Sequence, residues 1–249
     1  MALTAAQICN LARQIAKCPG YTAQSGYFLN TILQELCQTY DFEVIRKTYS
    51  FNFDTSAGPA YGKAAGSGPN LLPSDYLRAK NNEAIYVIQG VQYVMINVEQ
   101  DEFDALVQTT GLNNYPTLFY VDMSQDDLAS PGLYCWMPAS GAYPVTIKYY
   151  PLMPDITTPE TSTDVPWFPN TNYLIRRLAG ELMTITNDDR AMQFLGDDED
   201  ATPLGAGVIL RKYLTMQNDP EGRVKTVALD RRLFGHSRLG LPNTKQVGW

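Results

Sequence analysis

The chain has 249 residues, 45% of them hydrophobic and 18% charged, and a net charge of −7. That is enough apolar material for a real core, and the length suits one large domain or two small ones. No stretch approaches the roughly 18 consecutive apolar residues of a membrane span, and Met1-Ala2-Leu3-Thr4 lacks the basic-then-apolar pattern of a secretion signal, so neither a membrane partner nor export is expected.

The first forty residues read as a helical hairpin. Thr4 and Gln7 fit a capping box, and Ile8, Leu11 and Ile15 then recur on one face. Pro19-Gly20 stops this helix, and Thr22 is placed to cap a second. The second carries Phe28, Leu29, Ile32, Leu33, Leu36 and Tyr40 as its apolar stripe. A turn this short makes the two helices antiparallel neighbours.

From Phe42 to Phe53 the residues alternate like a strand, with Phe51 and Phe53 on one side. Residues 55–70 are rich in Gly, Ala, Ser and Pro and read as a long loop. Ala84–Ile88 and Val91–Val98, joined at Gln89-Gly90, predict a hairpin in which Gly supplies positive φ. A short helix over Glu102–Val107 and strands over Thr117–Val121, Leu133–Met137 and Val145–Tyr150 complete an antiparallel β unit.

Pro154–Pro166 reads as a linker, after which the helical period returns in Leu174, Leu178, Leu182 and Ile185. A short helix around Ala191–Leu195 follows. Thr202-Pro203 then starts another, with Thr as cap and Pro in the first turn, carrying Ile209, Tyr213 and Met216. The expected class is α+β. It combines a discontinuous antiparallel helical bundle (1–41 and 167–220), an inserted antiparallel β domain (42–166) and an extended C-terminal arm (221–249).

Charge is unevenly spread. Glu221–Trp249 holds six basic and two acidic residues, leaving 13 basic against 24 acidic, or −11, on the first 220. A basic tail on an acidic body points to docking on an acidic partner or a neighbouring copy. The candidate contacts are Arg223, Lys225, Arg231, Arg232 and Arg238, with Leu233, Phe234, Leu241 and Trp249 as apolar anchors.

Catalytic patterns are missing. The one histidine, His236, lies in the arm, and no Gly-x-Ser-x-Gly elbow or phosphate-binding glycine loop occurs. Cys9, Cys18, Cys37 and Cys135 lack paired-ligand spacing and read as buried thiols, the first three at apolar helix positions. Asp197-Asp198-Glu199-Asp200 lacks calcium-loop spacing and reads as an interhelical loop, while Asp188-Asp189 reads as a pair at a helix N-terminus. No cofactor, metal or enzymatic activity is expected. Tyr134, Trp136, Tyr143, Tyr149 and Tyr150 either fill a strand core or form a surface that stacks on sugars or neighbouring subunits.

Five segments carry a resemblance. They are Thr4-Ala-Ala-Gln-Ile-Cys with Ala16-Lys-Cys-Pro-Gly-Tyr; Leu72-Pro-Ser-Asp-Tyr-Leu-Arg-Ala; Pro144-Val-Thr-Ile-Lys-Tyr-Tyr; Val165-Pro-Trp-Phe-Pro-Asn; and Asp219-Pro-Glu-Gly-Arg with Leu229-Asp-Arg-Arg-Leu-Phe-Gly. Together they resemble the head-to-tail adaptor proteins of podovirus-type, short-tailed bacteriophages, broadly similar to tail tubular protein A. The resemblance implies a non-enzymatic virion protein of the neck, made in the host cytoplasm. It implies a dodecameric ring between the portal ring and the tail nozzle protein, through which double-stranded DNA passes without specific binding. Two other classes stay open: a receptor- or carbohydrate-binding tail protein, and a tail-associated cell-wall hydrolase.

Overall fold

The computed structural model describes residues 2–53, 70–107, 115–123, 130–136, 139, 141–198 and 202–218. The chain separates into two compact units, 1–209 and 210–249. The first holds every described strand and all but the last helix. Of the second unit only residues 210–218, the latter part of that last helix, are described.

Helix α1 (Ala5–Ala16) opens with the expected capping box: the Thr4 side chain accepts from the Gln7 N–H, and the Gln7 side chain accepts from the Thr4 N–H. Its termination lies closer in than Pro19, at Lys17, which takes the left-handed conformation (φ 57°). The buried face also differs from the expected one. Ala5, Ile8, Cys9, Ala12 and Ala16 are buried, whereas Leu11 is 38% exposed. Small residues on this face let a second helix come close, and size here outweighs hydrophobicity.

Helix α2 (Thr22–Thr39) buries Leu29, Ile32, Leu33, Leu36 and Cys37. Thr22 is not its cap. Tyr21 holds that position without a side-chain hydrogen bond, and the Thr22 hydroxyl instead accepts from Arg13 Nη1 at 2.6 Å. Cys18 is buried as expected, but beyond the end of α1 rather than on a helix.

The sheet follows as β1 (Lys47–Asn52), β2 (Asn70–Leu71), β3 (Tyr76–Ile88), β4 (Val91–Asn97), then helix α3 (Gln100–Val107), β5 (Leu118–Asp122), β6 (Gly132–Trp136) and β7 (Pro144–Pro151). The spatial order is β1-β7-β3-β4-β5-β6-β2. Gln89 (φ 49°) and Gly90 (φ 83°) both have positive φ, as a two-residue hairpin of type I′ requires. One pairing departs from the antiparallel expectation: β4 and β5 run parallel. The connection between them carries α3, and a crossover of that length is what parallel neighbours need. β3 bulges between Ala79 and Ala84, where Asn81 and Asn82 adopt positive φ.

Tyr86, Met95, Phe119, Leu133, Val145 and Ile147 form the heart of the β core. Phe53 and Leu72, which follow the strands at opposite ends of the sheet order, join the same cluster, so the sheet curls around its core. The loop expected before Asn70 lies outside the described residues.

Helix α4 (Thr171–Ile185) packs on both α1 and α2, and α5 (Ala191–Leu195) packs on α4. Leu174, Leu178 and Leu182 are buried, but Ile185 at the end of the stripe is 46% exposed. Helix α6 (Ala206–Asn218) begins four residues after Thr202. Thr202 is not its cap, because its hydroxyl donates to the Asp198 carbonyl and its own carbonyl accepts from the Gly205 N–H in a preceding turn.

Pro154–Pro166, expected as a linker, lies as a strap against α1 and α2. Asn30 makes two hydrogen bonds to the Ile156 backbone, donating from Nδ2 at 3.0 Å and accepting at Oδ1 at 3.1 Å. Gln34 Nε2 donates to the Met153 carbonyl at 2.6 Å. At α1 the strap is the acceptor: the Asp164 and Ser162 carbonyls accept from the Ala5 and Ala6 N–H groups at 2.8 and 3.2 Å. Those donors have no intrahelical acceptor, so the strap completes the helix start. The strap crosses close over Gly26, where a Cβ would stand 3.3 Å from Pro159 and would displace the carboxylate end of Glu160.

Candidate functional site

The chemistry-bearing side chains gather where the sheet meets the helices, and half of them belong to segments that carry the resemblance. Asp75 accepts from Lys47 Nζ at 2.6 Å and from the Tyr149 hydroxyl at 3.0 Å. Tyr76 stacks on Tyr149 with ring centroids 5.6 Å apart. On the opposite face Arg78 lies over the Tyr150 ring at 5.7 Å. Its guanidinium pairs with Asp41 at 2.6 Å and donates to the carbonyls of Cys37, Gln38 and Tyr40 at 3.3, 2.9 and 2.9 Å. Arg78 thus caps the C-terminus of α2, satisfying carbonyls and opposing the negative end of the helix dipole.

Glu43 forms the second node, bonded to Lys80 and Arg46 and accepting from the Tyr150 hydroxyl at 3.4 Å. Burial works against its charge, yet the two cations prevail and hold its carboxyl below the usual range. A third contact is aromatic. Phe42, Trp167, Phe168 and Tyr173 pack edge to face or tilted, with Phe42–Phe168 centroids 5.2 Å apart.

This arrangement holds two bodies together rather than performing a reaction. Tyr149 and Tyr150 are buried, and burial with a neighbouring carboxylate pushes each phenol up to about 12, so both stay neutral. Tyr143 packs against the β core as well. Tyr134 and Trp136 are half-buried, and Tyr134 stacks on Tyr120 at 6.4 Å. The four cysteines are free thiols, three buried and Cys135 partly so; burial raises Cys9 to about 11 and raises Cys135 further. Asp188 and Asp189 stand just ahead of the N-terminus of α5, where the sequence puts them, and Asp188 engages a neighbour there. It binds the Arg190 N–H and guanidinium, which lowers its carboxyl to about 2. Among the described residues no group of His, Cys, Asp and Glu could hold a metal, and no helix is long and apolar enough to cross a membrane.

The sequence-predicted contacts Arg223, Lys225, Arg231, Arg232, Leu233, Phe234, Arg238, Leu241 and Trp249 all lie outside the described residues, as does His236. Arg78 escaped sequence reading because a charged strand residue looks like an exposed face, and Glu43 and Asp75 because they sit in turns just outside the strands. Only the fold shows that a helix end lies over them.

Segments from Leu72, Pro144 and Val165 therefore converge on one junction. Over residues 3–203 the chain matches the family model described as SU10 adaptor protein. The chain belongs to the SU10 adaptor protein family. No curated protein matches it. Membership makes it a structural component of a bacteriophage virion, of an adaptor kind that interacts with other capsid or tail proteins, and not an enzyme. In this SU10 adaptor the bonding around Arg78 and Glu43 ties the sheet to the C-terminal end of α2.

Proposed function

We propose that this SU10 adaptor assembles as a dodecameric ring between the portal and the tail nozzle in the virion neck, leaving a channel for genome passage. The family match over residues 3–203 carries the reading. Charge supports it: twelve copies at −7 each bring roughly −84, and acidic walls repel DNA phosphates and let the duplex slide. A cyclic ring requires two different complementary patches on each copy. In this reading one helical body, residues 1–41 with 167–220, is interrupted by the β insertion of 42–166. The arm 221–249 clamps the portal or an adjacent copy. Arg223, Lys225, Arg231, Arg232 and Arg238 steer it, and Leu233, Phe234, Leu241 and Trp249 supply affinity.

Mass photometry of the full chain mixed with portal rings of the same phage tests this. A discrete complex of one portal and twelve adaptors is expected, and a chain ended after Pro220 docks at least tenfold more weakly. A full chain that never associates with portal rings overturns the ring. A shortened chain that docks with unchanged affinity removes the arm as the clamp.

A further inference from the structure

We infer that the open edge of β1 receives an added strand, the run Arg223–Leu229 of a neighbouring copy; this rests on the ring and arm proposed above. Among the described residues β1 is an end strand, paired only with β7. The Phe53 N–H donates to the Tyr143 carbonyl at 3.0 Å, and this fixes the phase of the ladder. Odd positions of β1 bond toward β7, so Thr48, Ser50 and Asn52 turn their backbone N–H and C=O groups outward. All three residues are exposed, and no described residue bonds to those groups.

Natural edges are guarded by proline, bulges or a projecting lysine. β1 keeps regular register over six pairs and contains no proline. Its one lysine, Lys47, is tied down to Asp75 at 2.6 Å. Among the described residues the opposite edge, β2, offers only two positions. Tyr49 and Phe51 stack at 5.7 Å on one face of β1 and are only half-buried, leaving apolar surface beside the open edge.

The occupant is argued from the chain outside the described residues. Arg223-Val-Lys-Thr-Val-Ala-Leu229 has no Gly or Pro, is bounded by Gly222 and Asp230, and carries β-branched Val224, Thr226 and Val227. Its seven residues match the six of β1. Alternation puts Val227 and Leu229 on one face, suited to the apolar surface of Tyr49 and Phe51. Five residues beyond Asn218 span about 17 Å at about 3.3 Å each, enough to reach an abutting copy. The run is basic, and the first 220 residues are acidic. Backbone bonds would give affinity and alternate side chains register.

The test uses the full chain with portal rings of the same phage. Proline at position 50 removes an outward donor and leaves the β7 ladder intact, so Ser50→Pro should weaken docking at least tenfold while the thermal melt stays within a few degrees. Should that variant not fold, equal amounts of Ser50→Cys and Thr226→Cys copies, joined by a short bismaleimide, give the answer. A band of twice the chain mass, present with portal rings and missing from either variant alone, is expected. If the chain ended after Pro220 fails to dock while Ser50→Pro docks normally and no such band forms, the arm remains and the edge pairing is wrong. If the shortened chain docks normally, the arm reading itself falls and the strand pairing with it.

Discussion

Arg78 Nη2 donates to the carbonyl oxygen of Tyr40 at 2.9 Å, so a strand residue finishes a helix that ended 38 positions earlier. Removing it strands the carbonyls of Cys37, Gln38 and Tyr40 together. Arg78→Ala should cost about 2–3 kcal/mol, the range for charged hydrogen bonds at a partly buried site. Arg78→Lys should recover less than half, because one ammonium cannot reproduce the planar fork. Urea denaturation of the three proteins measures both.

Alkali should loosen the junction. Tyr149 and Tyr150 are pushed up to about 12 in the fold, against about 10 for a free phenol. The folded state therefore favours their neutral forms. The stability this confers is complete below about pH 10 and falls as pH rises from there through about 12. Tyrosinate absorbance should rise late for these two, and Tyr149→Phe should lessen the pH dependence of the melting temperature above pH 10.

At the acidic end Asp188 offers a clean probe. Its carboxyl, held at about 2 by Arg190, gives an ion pair that is complete above the ordinary aspartate range and is lost as pH falls toward 2. Carbon-detected NMR should place its midpoint near 2, and Arg190→Ala should raise it part of the way to the ordinary range, because the N–H of residue 190 still donates to it.

Thiol reagents should find little to attack. Cys9 and Cys37 are buried on helices, and Cys9 is raised to about 11 by burial despite its contact with Ser25. The thiolate is the reactive form. Labelling by a disulfide reagent at pH 8 should leave both unmodified for as long as the protein stays folded, and denaturant should release them at the unfolding rate.

Local signals were legible. The Thr4–Gln7 box and the Gln89-Gly90 turn are chemistry between near neighbours, and both stand where the sequence puts them. Faces were harder. Leu11 looked like core, but α1 turns its small residues inward because α4 must approach closely. The parallel pairing of β4 and β5 was invisible, since strand alternation carries no direction. Asn30 and Gln34 carry no local signal, and only the path of residues 153–156 reveals them as its fasteners. The junction was half readable: its motifs were recognisable, but Arg78 and Glu43 take their meaning from partners up to 107 positions away.

The strap sets a schedule for biosynthesis. Ala5 and Ala6 find their acceptors in Asp164 and Ser162, so the first helix emerges from the ribosome with its leading amides unsatisfied. At about 5–20 residues per second, their partners arrive roughly 8–30 s later. Throughout that interval the apolar faces of α1 and α2 wait for α4, the helix both of them pack on. α1 and α2 thus stay exposed until α4, made well over a hundred residues later, covers them.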